Sequence, residues 1–449
     1  MLKPILFFLF LGFVGAGSGA ESFEPKPSDP SFAKFQPIKA PKTAKLVLKK
    51  GDRLAICGDS ITEQKMYSRI METYLTVCAP ELEVSVRQYG WGGETAPGFL
   101  ARMTNDCLRF KPTIATTCYG MNDHGYRAYE EAIGRKYREK QTAIVESFKA
   151  NGARVVLGSP GCVSHKAEAL NLNLCELRNI DIDIAGQEKV GFADVFWPML
   201  TGEFAAHQKY ATNYYIAGKD GVHPGWAGHL VMAYAFLKGF GLDGEIGTLN
   251  LDLRSGKGKA SKGHEVLSSK DGEFQIKSTR YPFCATGDAA SDESIRSGAT
   301  LAPFNQELNR MTLIARKGKA KRYKVTWGSE SHSYTAQQLE KGVNLTEDYV
   351  MNPFVDAFRK VDEAVAAKQR YETKQIKQVF HELAKGKYKS EEEIKDKDIK
   401  ALFALGNGAG KFDMKDIERE TEQQRQPLVD AVRSAFVPVT HTIRIAAEQ

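Results

Sequence analysis

The sequence predicts a parallel α/β sheet in its first half, followed by a small β unit and a helical extension. Three observations carry this expectation. Short apolar runs of strand type recur, each closed by a Gly or polar turn and followed by a helical stretch. Their starts, at residues 54, 84, 114, 155 and 192, leave room for one crossover helix between successive strands. Beyond residue 250 the recurrence stops and short alternating segments replace it.

The elements follow in chain order. Met1-Leu2-Lys3 gives a positive start, Ile5 to Val14 is almost wholly apolar, and small residues run from Ala16 to a cleavage point near Ala20, so residues 1–20 read as an export signal peptide. The apolar stretch is short for a membrane span and no other window approaches the roughly 20 apolar residues a span needs. A secreted or periplasmic protein without a stable membrane span is therefore expected. Residues 21–44, rich in Pro and Lys, read as a leader or linker. The strand runs are 54–57, 84–86, 114–118, 155–157 and 192–195, dense in Val, Ile, Leu and Thr. Trp226, Leu230, Ala233 and Leu237 share one helical face, so a final helix closes a domain spanning 45–245.

From 250 to 345, segments such as 274–276, 311–314 and 323–327 alternate between apolar and polar residues and are separated by Gly- and Lys-rich turns, which predicts a small antiparallel β unit. From 346 to 449 the chain reads as mainly helical, because Phe354, Phe358, Val361, Val365, Ile376, Val379 and Leu383 step by three, four or multiples. The mixed-charge run at 387–400 reads as a solvated helix face or loop.

Composition excludes several classes. Of 449 residues, 42% are hydrophobic and 26% charged, which is ordinary for a globular protein and argues against wholesale disorder. The net charge of +7 is spread along the chain without a basic tail, so no nucleic-acid partner is indicated. Seven cysteines cannot all pair internally, and no C-x-x-C spacing points to zinc. One or two disulfides remain open, while Cys57 and Cys118 lie in strands and read as buried apolar side chains. No Asp/Glu/His spacing suggests a metal cage, and no cofactor is expected.

The chemistry gathers at the strand ends. The first strand runs into Gly58-Asp59-Ser60-Ile61-Thr62-Glu63, which places Ser60 at the carboxyl edge of the sheet, where open α/β sheets bind ligands. Asp and Ser are also ordinary helix caps, so the tripeptide alone decides nothing. After the second strand comes Gly90-Trp91-Gly92-Gly93-Glu94-Thr95, and after the third Gly120-Met121-Asn122-Asp123. Ahead of the closing helix stands Asp220-Gly221-Val222-His223, whose spacing lets a carboxylate orient an imidazole.

In order and strand context these four clusters resemble the signature blocks of the SGNH, or GDSL-type, hydrolases, nearest to their carbohydrate acetylesterase branch. The resemblance implies a flavodoxin-like three-layer sandwich. It also implies Ser60 as nucleophile, His223 as general base, Asp220 as the residue orienting it, and an oxyanion hole from the Ser60 and Gly93 N–H groups and the Asn122 side-chain amide. The chemistry agrees, since Ser needs a neighbouring base and His titrates in the right range. Gln88 stands where the second block often has Asn, and Gly92 competes with Gly93 as donor. No G-x-S-x-G elbow occurs, which argues against the ordinary α/β-hydrolase fold.

Further residues stand beside these, two of them with two readings. Trp91 is read as a substrate contact through sugar stacking or as packing beside the glycine turn. His124 reads as a substrate contact or an exposed loop residue. His229, on the closing helix, reads as structural, Asp59 as a cap and Asp123 as a brace. Asn344-Leu345-Thr346 matches a glycosylation sequon by chance. The sequence thus points to an exported serine esterase acting on short acyl groups, with O-acylated carbohydrate or another small ester as its partner molecule. The alternatives are a lysophospholipase or thioesterase, and a catalytically silent glycan-binding protein that keeps the scaffold.

Overall fold

The structure is a computed structural model that describes residues 22–210, 213–404 and 413–448, so the expected signal peptide lies outside the described residues. In the first half, β1 (Arg53–Gly58) leads into a one-turn helix α1 (Ser60–Glu63) and then α2 (Tyr67–Val77). There follow β2 (Ser85–Gln88), α3 (Ala96–Asp106), β3 (Ile114–Cys118), α4 (Glu131–Ala150), β4 (Arg154–Gly158) and α5 (Glu168–Glu188). The unit closes with β5 (Gly191–Ala193), α6 (Phe196–Tyr210) and α7 (Trp226–Gly239).

The five strands pair in parallel in the order β2-β1-β3-β4-β5. This is the flavodoxin-like arrangement, in which the order reverses at β1/β3 and ligands meet the carboxyl ends. Every residue of β3 is buried, because helices cover both faces of a parallel sheet and leave no solvent side for alternation. On one face Ile56 of the sheet clusters with the helical Tyr67, Met71 and Phe236, and on the other Leu157 of the sheet clusters with the helical Phe99, Tyr137 and Ile144. The fifth strand ends sooner than expected, at Ala193, because the Asp194 carboxylate turns to pair with the buried Arg178.

Several expectations need correction. The 21–44 segment is not a loose linker. Phe32 and Phe35 are buried against Trp197, and Asn179 holds the segment by bonds to Gln36 O at 2.9 Å and from Ile38 N at 3.0 Å. Two aromatic anchors outweigh the surrounding Pro and Lys. The seven cysteines are all buried and unpaired, as apolar packing groups.

The β unit is larger than expected and not purely antiparallel. It contains β6 (Glu245–Asp252), β7 (Lys257–Ala260), β8 (His264–Lys270) and β9 (Glu273–Ser278). After the short helices α8 (Ile295–Leu301) and α9 (Phe304–Glu307) come β10 (Arg310–Arg316), β11 (Arg322–Trp327) and β12 (Glu330–Thr335). Then follow α10 (Ala336–Lys341), β13 (Val343–Asn344) and α11 (Leu345–Asp348). One sheet runs β13-β10-β6-β7 with β10 parallel to β6, and the other is antiparallel. The chance sequon is spoken for, since Asn344 Nδ2 donates to Asn305 O at 2.9 Å.

The helical extension is α12 (Val355–Lys374), which passes into a π-helix over Gln375–Leu383, then α13 (Lys397–Phe403) and α14 (Met414–Ala435). Ile394 and Ile399, within the charged run, are buried, so that run is not wholly solvated. The region expected to be mainly helical ends in a strand, β14 (Val439–Ala447), which pairs with β11 on one side and β9 on the other. Its alternating Ile443 and Ile445 face the core, a period-two pattern that the preceding helices hid.

The α12 helix covers the edge of the parallel sheet. Strand β2 is an edge strand, with backbone groups that would otherwise lack partners. Lys368 Nζ donates to Val86 O at 2.8 Å, and Gln88 N donates to Glu372 Oε2 at 3.2 Å. Glu372 is fully buried. Burial pushes its carboxyl up, but the Lys368, Arg425 and Arg87 cations outweigh that and hold it down at about 2.

Candidate active site

Ser60, Asp220 and His223 meet at the carboxyl edge of the sheet. The Asp59 side chain accepts from Ile61 N at 3.0 Å and caps α1, which aims Ser60 away from the strand as the first residue of the helix. Ser60 Oγ lies 2.8 Å from His223 Nε2, and His223 Nδ1 lies 2.7 Å from Asp220 Oδ2. A carboxylate only accepts, so His223 Nδ1 carries the proton and Nε2 presents its lone pair to the Ser60 hydroxyl. Asp220 Oδ1 also accepts from Val222 N at 2.9 Å and His223 N at 2.8 Å. Burial raises the Asp220 carboxyl, but the bonds from His223 and Val222 together outweigh it and hold it below the usual carboxylate range.

The expected oxyanion donors converge on the same edge. Gly92 N–H is committed to Glu63 Oε2 at 2.5 Å, whereas Gly93 N–H has no protein acceptor among the described residues. The competition between the two glycines therefore favours Gly93. Asn122 Nδ2 donates to Glu94 O at 3.0 Å, which uses one of its two N–H bonds and fixes the direction of the other. Gln88 does the anchoring: its Nε2 donates to Thr62 O at 2.9 Å and its Oε1 accepts from Gly90 N at 2.9 Å. A β-carbon on Gly90 would lie 2.2 Å from Glu63 N, so the two loops approach more closely than any side chain permits.

The supporting residues have distinct environments. Asp123 accepts from Ala96 N at 2.9 Å and Gly120 N at 3.0 Å, bracing the third loop, and burial raises its carboxyl to about 6. Burial likewise raises Asp59 to about 7. His229 is buried and neutral, with Nδ1 accepting from Tyr67 N at 3.2 Å and Nε2 donating to Gln64 Oε1 at 2.9 Å. His124 is fully buried rather than exposed, because its Nδ1 turns inward to Met121 O at 2.5 Å and its ring packs beside Tyr126. Trp91 is half-buried, with Lys377 Nζ 4.8 Å and Arg102 Cζ 5.1 Å from its ring and the His381 ring 4.7 Å away.

Several contributors escaped sequence reading. Glu94 pairs with Arg102, which also reaches Asp106 at 3.1 Å, and Tyr119 Oη donates to Glu94 Oε2 at 2.9 Å. The four-residue spacing of Arg102 and Asp106 was the available signal. His165, Glu203 and His207 bring candidate ligand atoms within 4.8 Å of one another, a set that could hold zinc. Both rings already have partners: His165 Nδ1 donates to Glu203 Oε1 at 2.8 Å and His207 Nε2 to Tyr214 O at 2.5 Å. With Ala217 N donating to Glu203 Oε2 at 3.0 Å, the cluster supports the start of the loop that carries Asp220.

Residues 56–231, under half of the chain, match the GDSL-like Lipase/Acylhydrolase family. No curated protein matches the sequence. Among solved structures, a gut microbial diltiazem-metabolizing enzyme is 20% identical, with a TM-score of 0.69 over 90% of this chain and 99% of its own. That likeness extends the shared fold through the β unit and the helical extension. An acetylxylan esterase from Geobacillus stearothermophilus is 22% identical, with a TM-score of 0.37 over 44% of this chain and 97% of its own.

Proposed function

From the GDSL-like lipase/acylhydrolase domain at residues 56–231, we propose that the protein is an exported serine esterase that removes short acyl groups, chiefly acetyl, from O-acylated carbohydrate. The observation that carries this reading is the hydrogen-bonded line from Asp220 Oδ2 through both ring nitrogens of His223 to Ser60 Oγ. Such a line activates a hydroxyl that is otherwise a weak nucleophile.

In the first half-reaction His223 Nε2 takes the Ser60 proton as Oγ bonds to the ester carbonyl carbon. The carbonyl oxygen gains the electron pair and is met by the N–H groups of Ser60, Gly93 and Asn122. Collapse of this adduct breaks the bond to the sugar oxygen, which leaves with the proton from His223. Water then repeats the sequence on the acyl-enzyme, giving its proton to His223 and releasing the carboxylic acid, and Ser60 regains its proton. Asp220 holds the imidazole in the right tautomer throughout.

The choice of carbohydrate rests on the sequence resemblance and on the reading of residues 1–20 as an export signal. The silent-binder alternative has less support, since a protein without this chemistry gains nothing from keeping Ser60, His223 and Asp220 in hydrogen-bond register. Acetate release from acetylated xylan, acetylated pectin and 4-nitrophenyl acetate tests the reading, with Ser60→Ala alongside. Release that disappears in the variant supports it. Turnover of long-chain esters only would replace it with the lysophospholipase or thioesterase reading. Sequencing the amino terminus of the exported protein tests cleavage near Ala20.

A further inference from the structure

We propose that the C-terminal extension holds the oxyanion loop in its working shape, with Lys377 as a positioning residue that acts through Glu63. The inference rests on the esterase reading for its catalytic meaning and on the geometry for the contact itself. The Glu63 carboxylate has one oxygen paired with Lys377 Nζ and the other accepting from Gly92 N. Glu63 lies on α1, the same one-turn helix that begins with Ser60. A single side chain thus ties the helix of the nucleophile to the loop after β2, and a cation from the extension fixes that side chain. The N–H of Gly92 and the N–H of Gly93 belong to consecutive peptide units, so holding the first restricts the direction of the second.

A second grip acts on the same loop. Lys377 Nζ lies over the Trp91 ring, and His381, one turn further along the π-helix, meets the other ring atoms edge-on. His381 Nε2 lies 2.6 Å from Asp106 Oδ2, and Asp106 continues to Arg102 and Glu94. The backbone oxygen of Glu94 is the acceptor that directs the Asn122 amide. Both oxyanion donors outside α1 are therefore anchored by chains of contacts whose outer members, Lys377 and His381, come from the extension. Lys377 and Glu63 are each about three-quarters buried, so water competes weakly for the pair.

Catalysis by oxyanion donors depends on their being fixed before charge develops, and removing one donor costs about 10²–10³ in kcat. Loosening one costs less, so Lys377→Met is expected to lower kcat by about tenfold and to leave KM within about twofold, because the ground state uses these donors weakly. Lys377→Arg keeps the cation and should restore most of the rate. The Glu63→Gln and Lys377→Met effects should not add when combined, since both break one line of contacts.

The test compares the whole chain with these variants by turnover of 4-nitrophenyl acetate, by Tm and by amide hydrogen exchange over residues 88–95. Faster exchange confined to that segment, with a kcat loss rescued by Arg, supports the proposal. Unchanged exchange there overturns it, as does a kcat unaffected by Lys377→Met or an activity loss that tracks a lowered Tm without rescue. If the wild-type protein hydrolyses no ester, the esterase reading falls, and the exchange measurement still decides whether Lys377 braces the loop.

Discussion

Gly218 and His223 stand so close that a β-carbon on Gly218 would lie 1.8 Å from the carbonyl oxygen of His223. The loop that delivers Asp220 and His223 is folded back on itself, and the φ of +84° at Gly218 closes it. Gly218→Ala must open this turn. A displacement of about 1 Å at a reacting group costs roughly 10²-fold in rate. The expected result is a fall in kcat of at least that size for 4-nitrophenyl acetate, with circular dichroism showing the sheet intact.

Asn122→Ala removes the side-chain donor and the bond that ties the third loop to Glu94 O. The expected loss in kcat is about 10²–10³, with KM little changed. Steady-state kinetics decide it, and a variant with wild-type kcat would take Asn122 out of the oxyanion hole.

Buried histidines give the folded state an acid limit. In the β unit, Trp327 Nε1 donates to His441 Nδ1 at 3.0 Å, and His441 Nε2 donates to Ser278 Oγ at 2.9 Å. Ser278 then donates to His264 Nδ1 at 2.8 Å, and His264 Nε2 donates to Ile246 O at 3.0 Å. Every position in this line has one direction, so an added proton breaks it. Burial accordingly holds His441 at about 3, as it does His229. A depressed folded-state value means that the unfolded chain takes up protons first as pH falls below about 6.5. Stability present above that pH is lost toward pH 3, at up to about 1.4 kcal/mol per pH unit for each histidine. Asp59 and Asp123, raised by burial to about 7 and about 6, gain stability over the same range and oppose this loss. The readout is therefore the difference between chains: chemical denaturation at pH 7.5 and 5 should show a change in His441→Gln that is shifted toward stabilisation relative to wild type.

Ile443→Ala tests the central position of β14. The side chain is fully buried between two partner strands, and truncations of this kind cost about 2–5 kcal/mol. Tm should fall by several degrees, whereas truncating the exposed neighbour Thr442 should change it little.

The parallel sheet was legible because a strand covered on both faces is a continuous apolar run, as at Ile114 to Cys118, and needs no knowledge of its neighbours. Ser60, Asp220 and His223 were legible because each sits at an element end with a distinctive local spacing. The extension was not. Lys368, Gln369, Glu372 and Gln375 are buried, yet they look like the solvated face of a helix, since apolar periodicity cannot register a face that packs by hydrogen bonds and ion pairs. Lys377 and His381 were hidden for the same reason. Strand β6 was missed because Gly247, Thr248 and Asn250 interrupt its apolar positions, and its pairing with β10 depends on residues far along the chain.

The place of β14 in its sheet has a consequence for how the protein is made. Strands β8 and β9 leave the ribosome as a hairpin, and β11 and β12 follow as a second one. Neither hairpin pairs with the other, because Val439–Ala447 lies between them and pairs with both. During synthesis β9 and β11 therefore each present an open edge, the state most prone to mispairing with other chains. A nascent chain paused before residue 439 holds this one sheet as two halves, so translation speed through the helical extension sets how long those edges stay exposed.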